Sequence, residues 1–321
     1  MTRPLTAILL AGRIRPSPLR EALDIPVLCL PIGRRGSLLD AWLTLLASVP
    51  GLTEVQVVVN SPGDADAVRT AAGSSHALES CGASLRVIAE PAAWRGAGGI
   101  VRDVSIGVDS SSIVLVCEAK RLPPATLAPM FVPYDTDPDI SGVVGLCGLD
   151  EPAGVYTFSR QALDLVPRIG YFDLKEQFLP AMANEERRVL TARLGDWVHR
   201  IRDVNSYLGA VRQSMMIEGA EQSAIRIAPR ASVSGSAVLD GVCVVEHGGV
   251  VEDGAVVHDS VILWGATVGG GSVVSGSVIG PLAVVEPRTR VIRSVVTRSM
   301  PQSVPSMVEV GGSSTGGRDT W

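Results

Sequence analysis

The chain has 321 residues, 46% of them apolar, 19% charged and 4% aromatic, with a net charge of −5. That length holds a large domain plus a smaller one, and interspersed arginines and acids argue against a nucleic-acid-binding or membrane-surface protein. No apolar run reaches the roughly 18 residues of a membrane helix, Met1–Leu10 lacks a signal-peptide pattern, and the five scattered cysteines, with no CxxC, point to a reduced cytoplasmic setting with buried thiols and no metal knuckle.

In chain order, Leu5–Leu10 reads as a strand ending at Ala11-Gly12, and Ser37–Val49 has helical spacing with Ser37 as N-cap. Strands follow at Glu54–Asn60, Leu85–Ala89 and Ile113–Cys117, all rich in branched aliphatics. Helical patterns lie between them, from about Asp64 to Glu79 and from Gly98 to Val108. Such alternation predicts βαβ units and a mainly parallel sheet. Gly142–Cys147 and Gly154–Phe158 read as further strands, and Leu174–Ala183 and Val204–Ile217 as helices. Lysine occurs only at Lys120 and Lys175, so no mechanism can use a lysine among the first 119 residues.

From Ile227 the period changes. Ile227, Val233, Leu239, Val245, Val251 and Val257 stand six apart; a five-residue step leads to Ile262, Val268 and Val274, and another to Ile279, Val285 and Val291. This is the hexapeptide signature of a parallel β-helix of about four three-sided coils, each aliphatic pointing inward. The expected division is an α/β domain over 1–220, a β-helix over 225–297 and a flexible Gly/Ser-rich tail over 298–321.

An α/β domain followed by hexapeptide repeats resembles the sugar-1-phosphate nucleotidyltransferases, or nucleotide-sugar pyrophosphorylases, in their mannose-1-phosphate guanylyltransferase-like branch. The resemblance covers about residues 5–295. Leu10-Ala11-Gly12 is similar to the family's first-strand Leu-Ala-Gly, and Glu90 with Arg95-Gly96-Ala97-Gly98 to its Gly-Thr-Ala-Gly loop near the nucleotide base. Ala153–Phe158 resembles its Asn-Ala-Gly-Ile-Tyr-Val-Phe strand. Gly195-Asp196-Trp197 with Tyr207-Leu208 resembles the segment around its second metal-binding aspartate, and Asp259–Leu263 a common β-helix sequence. The resemblance implies a Rossmann-like mixed sheet and a left-handed β-helix. It also implies nucleotide-binding roles for Leu10, Ala11, Gly12, Gly96, Ala97 and Gly98.

The family's catalytic residues are replaced here. Where it has Gly-Gly-x-Gly-Thr-Arg and Pro-Lys-Pro, a gap-free alignment puts Arg13 and Arg15 on two loop glycines, Pro16 on the Thr, Ser17 on the Arg and Val27 on the Lys. A phosphate-cradling nest of amides is not rebuilt from Arg-Ile-Arg-Pro. The first Mg²⁺ carboxylate becomes Ala119, beside Glu118, and the second falls near His199 or Arg200, with Asp203 out of register. The family's hairpin bearing Glu-Lys-Pro has no room between Val143-Val144 and Ala153-Gly154, where Glu151-Pro152 resembles at most its remnant.

These losses imply a catalytically impaired member that binds a nucleotide or nucleotide-sugar, or regulates or scaffolds an active paralogue, with self-association expected. No metal is assigned. The rival is a working nucleotidyltransferase with Glu118 and Asp203 on Mg²⁺ and Arg13 or Arg15 as replacement cations. Arg34 and Arg35 join Arg13 and Arg15 in a possible phosphate clamp, against a solvated loop. A third reading is a hexapeptide acyltransferase with His247 or His258 as general base. Trp264 is expected to face outward at an interface.

Overall fold

Serines set the first helix starts. Ser17, Ser37 and Ser61 each accept a backbone N–H three residues on (3.3, 3.2 and 3.1 Å), and Asp40 reciprocates to the Ser37 amide at 2.9 Å. In the computed structural model, which describes residues 3–12, 17–33, 36–90, 94–196, 199–217 and 224–298, these caps open α1 (Pro18–Leu23), α2 (Leu38–Ala47) and α3 (Pro62–Ala72). The third stops well short of Glu79 because Gly73-Ser74-Ser75 has poor helix propensity. Further on come α4 (Gly96–Val104) and the short α5 (Val132–Thr136). The helix expected over Leu174–Ala183 is split. Pro180 has no N–H for the Glu176 carbonyl, and a π turn over Leu174–Phe178 precedes α6 (Leu179–Asn184). Last is α7 (Val204–Ile217).

The strands β1 (Leu5–Leu10), β2 (Leu52–Val59), β3 (Ser84–Ala89), β4 (Ile113–Glu118), β5 (Ile140–Cys147), β6 (Glu151–Ser159) and β7 (Arg188–Arg193) form one sheet in the order β3-β2-β1-β4-β6-β5-β7. The β3-β2-β1-β4 half is parallel, but β6 runs antiparallel to both β4 and β5. The sheet is therefore mixed. Side chains alternate across it. Ala7, Leu9, Val57 and Leu115 face a core with Trp42 of α2 and Tyr207 of α7. Ile8, Val58, Val114 and Val116 face one with Val101 of α4 and Met182 of α6.

Thirteen short strands follow: β8 (Ala224–Ile227), β9 (Ser232–Val233), β10 (Val238–Asp240), β11 (Val242–Val245), β12 (Val250–Val251), β13 (Val256–His258), β14 (Val261–Ile262), β15 (Thr267–Val268), β16 (Val273–Ser275), β17 (Val278–Ile279), β18 (Val284–Val285), β19 (Arg290–Ile292) and β20 (Val295–Val296). They stack into three parallel sheets, β8-β11-β14-β17-β20, β9-β12-β15-β18 and β10-β13-β16-β19, an arrangement compatible with a parallel β-helix. Pairing of Ile227 with Val245, then Ile262, Ile279 and Val296 makes the first coil eighteen residues and the next three seventeen. That explains the five-residue steps in the sequence lattice. Val245 through Val291 on the lattice fill one buried cluster. Ile227 departs from the expectation: it lies on the inward row but is 49% exposed, since the first coil has no strand above it.

The outer side of the five-stranded sheet is not a solvent face. Val244, Val261, Leu263 and Val278 are fully buried in the same core as Trp42, Tyr207 and Val211. An Arg212–Asp259 ion pair at 2.6 Å flanks the junction.

Among the described residues no helix is long and apolar enough to cross a membrane. Cys117, Cys147 and Cys243 are buried as expected, whereas Cys29 and Cys81 are only partly so; none is paired. Trp264 is 37% exposed and projects from a coil corner.

Candidate functional site

In an open α/β sheet, neighbouring parallel strands whose connections leave toward opposite faces create a crevice at their carboxyl ends. Here β1 is followed by α2 on one face and β4 is reached from β3 through α4 on the other, so the crevice lies at the carboxyl ends of β1 and β4. A cavity of about 690 Å³ opens there, lined by Leu10 and Gly12 after β1, Glu118 and Lys120 at the end of β4, and Gly96 and Ala97 at the start of α4.

One wall is basic. Beyond β4 the chain makes a short antiparallel pairing of Arg121 with Arg200. The Leu122 amide donates to the His199 carbonyl at 2.9 Å and the Ile201 amide to Lys120 at 2.8 Å. That ladder places Lys120, Arg121, Arg200 and Arg202 on the cavity. Trp42 supports it from below, its indole N–H donating to the Ala119 and Arg121 carbonyls at 3.2 and 3.0 Å. Lys175, from the π turn, closes the far side. Asp173 caps that turn by accepting the Lys175 and Glu176 amides at 2.7 and 2.9 Å. Five basic side chains thus meet three acidic ones, Glu90, Glu118 and Asp173, in a protein whose net charge is −5. Burial pushes the Glu90 carboxyl up. Trp94 (70% exposed, φ 75°) and Tyr171 form an apolar rim. The arrangement suits a ligand with an anionic end and a flatter, less polar one.

Each carboxylate oxygen of Glu118 is already paired with a cation. Its Oε1 accepts from Lys175 Nζ at 2.6 Å and its Oε2 from Arg121 Nε at 2.8 Å. Burial alone would raise its carboxyl, but the two cations outweigh that and hold it below the ordinary range. Asp203 caps α7 instead of lining the cavity. It accepts from the Ser206 amide and hydroxyl, both at 2.8 Å, which hold its carboxyl down. Among the described residues no three His, Cys, Asp or Glu side chains stand close enough to share a metal ion. Glu118 and Asp203 therefore do not come together as a Mg²⁺ site.

Of the sequence candidates, Leu10, Gly12, Gly96, Ala97 and Glu118 meet in the cavity. Ala11 is tied to β2 by a 2.8 Å bond to the Val58 carbonyl, and Gly98 sits in the first turn of α4. The small residues here have a packing reason. A Cβ on Gly96 or Gly98 would lie 2.7 or 2.9 Å from the Phe172 carbonyl oxygen. Arg13, Arg15, Pro16, Arg34, Arg35 and Trp197, and the tail from 299, lie outside the described residues. His247 is exposed on a coil turn. His258 is bracketed by Asp240 (2.9 Å) and Asp259 (3.3 Å), so both ring nitrogens face carboxylates. Sequence reasoning missed Arg121, Lys175, Arg200, Arg202, Trp94 and Tyr171 as one constellation. The available signal was that both lysines of the chain, Lys120 and Lys175, belong to it.

Arg121 is held by a glycine. Gly154 has φ 75°, and a Cβ there would lie 2.5 Å from Arg121 Nε and 3.1 Å from Glu118 Cβ. Gly154→Ala is expected to cost about 1–3 kcal/mol, from the left-handed backbone and the displaced guanidinium together. Urea unfolding measures this; a midpoint and slope matching wild type would contradict it.

No protein-family model matches the chain, and no curated protein is detectably similar to it.

Proposed function

We propose that this chain is a catalytically impaired relative of the sugar-1-phosphate nucleotidyltransferases. On this reading it binds a nucleotide or nucleotide-sugar in the cavity and acts as a regulatory or scaffolding subunit. The carrying observation is a basic cavity at the β1/β4 crevice in which Glu118, at the end of β4, is already paired with Lys175 and Arg121. An anion-binding site without metal-binding carboxylates suits capture of a phosphate-bearing ligand better than its turnover, which depends on metal-assisted charge stabilisation. The strand order supports a Rossmann-like first half, and the seventeen-residue coils support a left-handed β-helix with three hexapeptide-like sides. A second copy of the chain, or an active paralogue, is the proposed protein partner.

A thermal-shift screen with nucleoside triphosphates, nucleotide-sugars and sugar 1-phosphates, with and without Mg²⁺, tests this. A ligand at 100 times its Kd adds about 2.7 kcal/mol to stability. The expected result is a Mg²⁺-independent rise in Tm with one nucleotide or nucleotide-sugar and no pyrophosphate release. Mg²⁺-dependent pyrophosphate release that is lost in Glu118→Ala would show a working enzyme instead. No shift across the panel would overturn ligand binding.

A further inference from the structure

Glu118 carries two cations that differ in how firmly they are held. Arg121 has a side chain 12% exposed, wedged against Gly154, and its backbone is fixed in the ladder with Arg200. Lys175 has a side chain 42% exposed, with four rotatable methylenes above a backbone pinned by Asp173. Its ammonium lies within 6.0 Å of the Tyr156 ring centroid, on the cavity side of the sheet.

We infer that Lys175 is an exchangeable anion-binding residue: an anion entering the cavity takes the ammonium from Glu118, while Arg121 stays on the carboxylate. The inference rests on the cavity being a ligand site, as proposed above. The asymmetry is what makes the exchange feasible. A carboxylate this deep cannot be left unpaired without a large desolvation cost. Two cations sharing it allow one to leave while the buried charge stays compensated. Without an anion, Lys175 is parked on Glu118, which keeps five basic side chains from facing one another uncompensated. Glu118 then sets affinity by competing with the ligand for one lysine, not by touching the ligand.

The experiment exploits a chain with only two lysines. Protein labelled with ¹³C at lysine Cε gives two lysine resonances, assigned with Lys120→Arg, and is titrated with inorganic pyrophosphate and with GDP while calorimetry reports affinity. Saturation is expected to move the Lys175 resonance. Lys175→Met should weaken binding about tenfold and Glu118→Gln tighten it about tenfold, each near the 1.4 kcal/mol of one solvent-accessible charge contact. In the Lys175→Met/Glu118→Gln double variant, the gain from Glu118→Gln should fall below twofold. Calorimetric binding with an unmoved Lys175 resonance and unchanged affinity in Lys175→Met would overturn the inference and leave the ligand site standing. Failure of both probes to bind wild type, Glu118→Gln and Lys175→Met alike would overturn the ligand site, and the inference with it.

Discussion

Trp42→Ala is expected to lower stability by about 3–5 kcal/mol, measured by urea unfolding. The indole is 1% exposed and sits on the buried stripe of α2 with Leu38, Leu39, Leu43 and Leu46. Truncating it removes the largest side chain of that helix and opens a cavity that α2 cannot close without leaving β1. It also strips the donor from the Ala119 and Arg121 carbonyls. Trp42→Phe separates the two effects, keeping an aromatic ring while leaving those carbonyls without the indole, at an expected 1–3 kcal/mol or about half the loss. Because residues 119–121 carry the basic wall, both variants should also weaken anion binding. A Trp42→Ala protein within 1 kcal/mol of wild type would contradict the account.

The second large effect is expected at Arg95, just before α4. Its guanidinium donates to Asp103 at 2.7 and 3.1 Å, to the Pro167 carbonyl at 2.9 Å and to the Gly170 carbonyl. One side chain therefore staples the loop bearing Tyr171 and Asp173 to α4. Arg95→Ala leaves a half-buried carboxylate with Arg102 alone and two carbonyls without this donor. The expected cost is about 3 kcal/mol. Its pH dependence has a definite sign. Burial works to raise the Asp103 carboxyl, but hydrogen bonds from Arg95 and Arg102 outweigh it and hold it below its ordinary 3.8. A lowered carboxyl adds stability that is complete above the ordinary value and fades as pH falls through the lowered one. The gap between wild type and Arg95→Ala should therefore be full at pH 7 and shrink below pH 3.8. A gap constant down to pH 2 would show that the pair does not carry the effect.

Those two side chains also show which parts of the molecule a sequence discloses. Trp42 lies in a helix whose start was legible, because Ser37 and Asp40 form a capping box ahead of an apolar stripe. The coils were legible for a similar reason: a narrow interior demands a branched aliphatic at each inward position, and that demand repeats. The antiparallel turn of β6 against β4 was hidden, since a strand buried on both faces reads alike in either direction. Strand β7 was missed because Arg188, Thr191 and Arg193 give an edge strand little apolar alternation. In the site, Gly12, Gly96 and Glu118 were individually visible. The basic wall was not, because a two-strand ladder joins residues nearly eighty positions apart. Lys175 reaches Glu118 across a gap that no local pattern records.

The coil strands that share the core of Trp42 and Tyr207 give the change from sheet to coils an unusual meaning. It separates an α/β sheet from a repeating coil, yet the shared core predicts that the two unfold as one cooperative unit. The α/β half, cut away, would present the apolar surface that Val244, Val261, Leu263 and Val278 now cover, and the coils would present those same valines to water. A ligand that stabilised the α/β half is then expected to raise the unfolding midpoint of the coils with it. Coils and sheet are in this sense one body with two surfaces, since Val244, Val261, Leu263 and Val278 belong to the same interior as Trp42 and Tyr207.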